Sequence, residues 1–424
     1  MQCCTGYWQI NSKHQILNKF KTSKPQNLST SVFITGLGII TSIGNNLQEN
    51  LDSLKAGRSG IGKISRLESV HRDVFPAGEI RPGDDELARI AGIELREGLT
   101  RTALLGMIAA QEAFHKAGCT IHDGLRTGII SGSTVGGMVS TEKYYLDFLE
   151  NDSRNAWIES NESSDCTERI ARHLGITDFV STINTACSSS ANAIMNGASL
   201  IRAGILDRVV AGGADALSLF TLNGFNTLMI YDRELCKPFD DNRNGLNLGE
   251  GAAYLVLESE KAKGSRLPVC ELRGYGNSTD SHHQTALSPE GTGPYLAMKL
   301  ALERGGLNPV DIDYINVHGT ATINNDLSEG MAMLNLFGEK MPAFSSTKSF
   351  TGHLLGASGA VEAVFSILGL RQDTAWPNLN FNTPMKDFDF SPLRQAKHGS
   401  GLKHVMSNSF GFGGNNTSLI FSAI

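Results

Sequence analysis

"AMKLALERGGLNPVDIDYINVH" occupies Ala297–His318 and sets the pattern of the fold. Helix-spaced apolar residues come first, Gly305–Gly306 stop the helix, an acidic link follows, and an apolar strand closes the stretch. The same grammar occurs earlier in the chain. "AAQEAFHKAGCTIHDGLRTGII", Ala109–Ile130, reads as helix, Ala-Gly stop, acidic link and strand. Each copy is followed by a second helix that begins after a polar loop. Behind Cys187, the residues Ala191, Ile194, Met195, Ala198 and Ile201 fall at helical spacing. Behind His353, Ala357, Ala360, Val361, Val364 and Leu368 do the same. Strands alternating with helices imply α/β layers with buried sheets. Two halves with one pattern imply a duplicated α/β unit. The division is expected near "LPVCELRGYGN", giving halves 31–268 and 269–424.

A chain of 424 residues has room for two or three domain-sized units. Its 46 glycines are scattered through loops rather than arranged in repeats, which argues against low complexity. A net charge of −6 argues against bulk nucleic-acid binding. The cysteines, Cys3, Cys4, Cys119, Cys166, Cys187, Cys236 and Cys270, are odd in number and form no CxxC pair. Neither a disulfide framework nor a zinc knuckle is indicated, and a reducing cytoplasm is the expected compartment. No apolar run approaches the roughly 18 residues a membrane span needs. Residues 1–30 carry Lys but neither acid nor Arg, and are expected to form an extension outside the core.

"SVFITGLGIITSIGNN", Ser31–Asn46, reads as a short strand entering a glycine turn. It begins like a dinucleotide-binding fingerprint, but Thr41 stands where the third glycine belongs. Nucleotide binding is therefore not expected.

Cys187, in "NTACSSSANAI", lies between a β-branched strand and a helix. A helix N-terminus favours thiolate over thiol and offers N–H groups to a developing oxyanion. Taken alone, a buried structural cysteine is the commoner case. Two histidines change the balance. His318 ends the strand "YINVH" and opens "GTAT", which brings Thr320 and Thr322. His353 follows Lys348 in "STKSFTGHLLGASGA". His282–His283 lack any metal-binding spacing and read as polar side chains at the surface or behind the site rather than as metal ligands. In "SNSFGFGGNNTSLIF", glycines flank Phe412 and a strand rather than a helix follows, which suits a gate over an apolar channel better than a phosphate cradle.

These motifs, in this order and at these separations, resemble the elongating β-ketoacyl-(acyl-carrier-protein) synthases, condensing enzymes of the synthase II type. "VFITGLGIITSIGNN" and "DRVVAGGADAL" add to the resemblance, which covers about residue 31 to the C-terminus. It implies an α/β thiolase-like fold, with duplicated βαβαβαββ-type halves in a five-layer αβαβα arrangement, usually as a homodimer. It also implies decarboxylative Claisen condensation of a Cys-bound acyl chain with malonyl-acyl carrier protein. Cys187 would carry the acyl chain. His318 and His353 would donate to the enolate oxygen, each contributing roughly 3 kcal/mol, and Lys348 would orient His353. The N–H groups of Cys187 and Phe412 would form the oxyanion hole, with Phe412 as the gate. Thr320, Thr322 and Phe410 would meet the pantetheine arm, and Glu329 and Glu362 would support the site. Phe225 is expected along the acyl tunnel.

No metal and no free cofactor are implied, since the substrates ride on the phosphopantetheine arm of acyl carrier protein. Chain-initiating relatives resemble Cys-His-Asn sites, whereas "TGH" follows the lysine here. "TACSSS" and "HGTATINND" depart from the commonest elongator strings, so a specialised polyene or polyketide pathway stands as the alternative to fatty-acid elongation. A noncatalytic chain-length partner is disfavoured by Cys187. Lys55, Arg58, Lys63 and Arg66 form a candidate basic patch for the acidic carrier.

Overall fold

The computed structural model describes residues 30–424; the expected extension at 1–30 lies essentially outside them. The first half runs β1 (Phe33–Thr41), α1 (Arg101–Lys116), β2 (Thr127–Gly132), α2 (Met138–Glu150), α3 (Ser163–Leu174) and β3 (Phe179–Ile183). It continues with α4 (Ser189–Arg202), β4 (Arg208–Asp215), α5 (Leu219–Thr227) and β5 (Gly251–Glu258). The second runs β6 (Cys270–Thr279), α6 (Thr292–Gly305), β7 (Tyr314–Asn316), α7 (Ile323–Phe337), β8 (Ala343–Ser345) and α8 (Ser358–Arg371). A small hairpin, β9 (Thr374–Ala375) with β10 (Lys397–His398), precedes β11 (His404–Phe410) and β12 (Asn415–Ser422).

The main sheet has the order β3-β2-β4-β5-β1-β6-β12-β11-β7-β8. Read outward from its centre, β1-β5-β4-β2-β3 mirrors β6-β12-β11-β7-β8. Pair directions repeat as well: β2 runs parallel to β3 and β4, and β7 to β8 and β11. The two five-stranded sets meet where Phe33 and Ile34 of β1 face Glu271 and Cys270 of β6. The chain is thus a duplicated unit, as the echo at 109–130 and 297–318 predicts.

Layering follows from the two-residue period of the strands. In β5, Ala253, Leu255 and Leu257 point to a central core shared with α4 and α8, while Ala252, Tyr254 and Val256 point to an outer core with α1 and α3. In β12, Leu419 and Phe421 join the central core, while Ile420 joins a second outer core with α6 and α7. Two outer helix layers, two sheets and one central helix layer make five. Helix α8, "SGAVEAVFSILGLR", is buried on all sides from Ser358 to Leu370, as a helix between two sheets must be.

The glycines near the start of each half correct one expectation. Gly36 and Gly38 lie inside β1 rather than in a turn. A Cβ at Gly36 would sit 2.1 Å from the Ala113 carbonyl of α1, and one at Gly38 would sit 2.0 Å from that of Ala109. Gly274 and Gly276 of β6 stand in the same relation to Ala301 and Ala297 of α6, at 2.2 and 2.1 Å. What resembled a phosphate-binding turn is a packing device, used in both halves, that lets a helix close onto its strand. Gly306 ends α6 in the left-handed conformation, φ 64°, as its position after the helix predicts.

Candidate active site

The parallel strands of each half present their carboxyl ends to one pocket, the usual place for ligands in open α/β sheets. Cys187 stands between β3 and α4. The residue before it, Ala186, has φ 53°, a conformation costing a non-glycine residue roughly 1–2 kcal/mol. Hydrogen bonds hold this tight corner: the Thr185 N–H donates to Ser189 Oγ at 2.9 Å, and Ser189 Oγ donates to the Ala186 carbonyl at 2.6 Å. The result is a sulfur turned toward the second half.

His353 Nε2 lies 3.1 Å from Cys187 Sγ. The backbone of His353 is pinned on both sides, its N–H donating to the Asn247 carbonyl and its carbonyl accepting from Gly249. Its ring is oriented by residues that sequence reasoning did not single out. The Leu355 N–H donates to Nδ1 at 3.1 Å, and Ser358 Oγ stands 2.9 Å from the same nitrogen. Because Nδ1 accepts a backbone N–H, the ring proton sits on Nε2 and points at the sulfur.

His318 reaches the same state by another route. Lys348 Nζ is 3.2 Å from its Nδ1 and 2.6 Å from its carbonyl oxygen. An ammonium only donates, so Nδ1 accepts and Nε2 carries the proton. His318 Nε2 is buried and has no hydrogen-bond partner among the described residues. The ligand-type atoms of Cys187, His318 and His353 all lie within 4.8 Å of one another. With Nδ1 of each ring held as an acceptor, both Nε2 atoms are committed as donors, and neither offers the lone pair a metal would need.

Lys348 corrects a second expectation. It bonds His318 rather than His353, and its ammonium is also paired with the Glu362 carboxylate on α8. Glu329 holds the other side of His318: it accepts from the N–H groups of His318 and Gly319 at 2.9 and 2.8 Å, and from Asn408 Nδ2 at 3.1 Å. Burial pushes the carboxyls of Glu329 and Glu362 up to about 7, against the pull of these donors and of Lys348. Burial first, and Lys348 second, push both histidines well below the ordinary imidazole range, so each is neutral.

The sulfur gives a third correction. Burial raises the Cys187 thiol to about 11, outweighing the backbone N–H groups of Phe412 and Cys187 and the charge of Lys348. Removing a thiolate from water costs more than the helix N-terminus returns, so the resting group is a thiol. The same two N–H groups point at the sulfur from the place expected for an oxyanion hole.

Two cavities meet at Cys187. One, about 240 Å³, is lined by His318, His353, Thr320, Thr322, Phe410 and Met229 among others. The other, about 200 Å³, is lined by Thr134, Val135, Met138, Phe220, Thr221 and Leu355 with Ala186. Phe225 and Phe412 border both, stacked at 5.7 Å between ring centroids. The sequence-predicted site residues therefore converge, with Phe412 at the partition.

Three further polar groups shape these walls. Asp326 accepts from the N–H of Ala321 at 3.1 Å and of Phe239 at 2.7 Å, fixing the turn that presents Thr320 and Thr322. Arg243 donates to the Ile323 carbonyl on the same turn. Asp215 accepts from the N–H groups of Val135 and Gly356, joining the two loops that line the smaller cavity. Asp215 stands in the motif "DRVVAGGADAL", which was the available sequence signal for it.

The expected basic patch is partly paired with acids. Lys63 pairs with Asp73 at 2.6 Å, Arg66 approaches Asp84 at 3.6 Å, and Arg58 bonds Ser53. Lys55 is exposed, as are His282 and His283.

The profile described as "Beta-ketoacyl synthase, N-terminal domain" matches residues 29–263, and "Beta-ketoacyl synthase, C-terminal domain" matches residues 269–382. The chain is 34% identical over 406 residues to a 3-oxoacyl-[acyl-carrier-protein] synthase 2 of Staphylococcus aureus (strain N315), covering 92% of this chain and 97% of that protein. It is 34% identical over 414 residues to the protein of the same name from Coxiella burnetii (strain RSA 493 / Nine Mile phase I), covering 93% and 98%. Among solved structures, the ishigamide ketosynthase/chain length factor superposes with a TM-score of 0.86 at 30% identity, covering 93% of this chain and 99% of that one.

Proposed function

The chain belongs to the beta-ketoacyl synthase family, and from that premise we propose that it elongates carrier-bound acyl chains by decarboxylative Claisen condensation with malonyl-acyl carrier protein. The observation that carries this reading is the convergence of one sulfur and two Nε2–H donors at the junction of two cavities.

In the first stage, Cys187 loses its proton and attacks the carbonyl of the incoming acyl thioester. The oxyanion accepts from the N–H groups of Cys187 and Phe412, and collapse expels the pantetheine thiolate, which takes up a proton. In the second, malonyl thioester enters the larger cavity, near Thr320 and Thr322. Its C–C bond to the carboxylate breaks, CO2 leaves, and the electron pair forms an enolate. The enolate oxygen accepts from Nε2–H of His318 and His353. Neutral donors suit this step, since they stabilise developing charge without surrendering a proton. The enolate carbon then attacks the Cys187 thioester, and collapse of the second oxyanion releases the lengthened β-ketoacyl chain and the Cys187 thiolate, which takes up a proton from solvent to restore the thiol.

The smaller cavity favours a hydrocarbon acyl group over a poly-β-ketone. Thr134 Oγ1 donates to Asp215 at 2.7 Å, and Thr221 Oγ1 to the Ser218 carbonyl at 3.0 Å, so neither hydroxyl is free to bind a keto oxygen. A keto group buried there would lose its hydrogen bonds to water without replacement. Fatty-acid or polyene elongation is thereby favoured over polyketone assembly.

The protein is read as a homodimer. Among the described residues β3 is an edge strand paired only with β2, its Val180 is 40% exposed, and Phe220, lining the smaller cavity, is 64% exposed. A second copy against this edge would cover both strand and cavity. A cytoplasmic setting agrees with five free cysteines among the described residues, and no described helix is long and apolar enough to cross a membrane.

The test is incubation with carrier-borne octanoyl and 3,5-dioxooctanoyl thioesters, followed by intact-mass analysis. Octanoyl should remain on Cys187 in preference to the diketo chain. Failure of every thioester to acylate the protein would end the condensation reading, while equal loading would end only the hydrocarbon preference.

A further inference from the structure

Around the mouth of the larger cavity, two large apolar side chains face solvent. Met229, just past α5, is 88% exposed; Ile323, at the start of α7, is 61% exposed; both line the cavity that leads to Cys187. Met229 also holds φ 56°, a left-handed conformation that a non-glycine residue adopts only at a cost, so its chain corner is fixed rather than slack. Between them the rim is amide: Asn244, Asn324 and Asn325.

Charge is nearly spent on these segments. Asp232, Asp240, Arg243 and Asp326 are buried. Glu234 pairs with Lys237 and Asp241 with Lys386, at 2.5 and 2.8 Å. Arg233 is exposed and makes no ion pair among the described residues.

Resting on the condensation reading, we propose that acyl carrier protein docks on this rim through an apolar contact centred on Met229 and Ile323, rather than on the basic segment at Lys55–Arg66. The pantetheine arm is tethered to its carrier, so a chain reaching Cys187 through this cavity brings the carrier's surface against its mouth. Two exposed apolar side chains at that mouth are buried by such an arrival, and a contact made mainly by apolar and amide groups depends weakly on salt.

The experiment compares kcat/KM for octanoyl loaded on holo-acyl carrier protein with that for octanoyl-pantetheine, in the parent, Met229→Asp, Ile323→Asp, and Lys55→Ala/Arg58→Ala proteins. Both apolar residues are exposed, so the Asp variants should fold. The ratio of carrier-borne to free thioester should fall about tenfold in each Asp variant and stay level in the double Ala variant. Raising salt from about 0.05 to about 0.5 M should lower carrier affinity by only a few fold. An unchanged ratio in both Asp variants overturns the proposal, as does a steep salt dependence abolished in the double Ala variant. A change of oligomeric state in the Asp variants also overturns it, since the rim would then contact a second copy. If neither thioester acylates the parent, it is the condensation reading that has failed.

Discussion

In the first half of the chain, Ser133 just after β2 and Asp215 at the end of β4 bond each other at 2.8 Å and serve as scaffolding. In the second, the equivalent strands β7 and β11 end beside His318 and at the Phe410–Gly414 turn, which face the reacting atoms. The loops before the two central helices differ likewise. The one before α4 carries Cys187, and the one before α8 carries His353, 3.1 Å from that sulfur. The two halves share one frame, and the side chains at corresponding strand ends differ. In the proposed reaction one half supplies the nucleophile, and the other the donors that would stabilise an enolate. A shared frame constrains backbone packing at the glycines of β1 and β6, but leaves the strand ends free to differ.

The largest expected effect tests the donor half. His318→Ala and His353→Ala should each lower CO2 release from malonyl-acyl carrier protein by about 10²–10³-fold, measured with carboxyl-labelled substrate. Release at the parent rate in either variant would remove that histidine from the step. Because both rings are held neutral, the parent's CO2 release should not fall as pH rises through the ordinary histidine range. A loss there would mean that an imidazolium is the active form.

The nucleophile half, by contrast, should respond strongly to pH. With the Cys187 thiol raised to about 11, the thiolate fraction grows with pH, and alkylation by iodoacetamide should accelerate about tenfold per pH unit from about pH 7 to about pH 10. A plateau near neutrality would show a resting thiolate, and would favour the helix N-terminus over burial as the dominant influence.

The smallest effect concerns what the halves share. Gly38→Ala and Gly276→Ala each bring a Cβ to within 2.0–2.1 Å of a helix carbonyl. Each should destabilise by about 1–3 kcal/mol, seen as a lower thermal midpoint of similar size in both. Tolerance in one half alone would break the packing equivalence.

Much of this arrangement is legible in the sequence because it is local. Helix spacing, glycine stops and strand alternation give the repeated unit, and Cys187, His318, Lys348 and His353 stand in recognisable motifs. What was not legible depends on contacts between distant residues. Lys348 meets His318 across the sheet, although His353 is nearer in sequence. Gly356 bonds Asp215 in the other half of the chain. Ser358 and the Leu355 N–H set the His353 tautomer through a turn whose shape no residue pattern states. The charge of Cys187 depends on burial, which local sequence does not fix, and Arg58, Lys63 and Arg66 found hydroxyl and carboxylate partners that composition could not assign.

The division of labour is tested most directly by Cys187→Ala protein given malonyl-acyl carrier protein, with CO2 release and acyl loading measured on the same sample. Loading should vanish while CO2 release persists, because both Nε2–H donors remain in place. Loss of CO2 release together with loading, in a protein that is still folded, would contradict the assignment of enolate stabilisation to His318 and His353 alone.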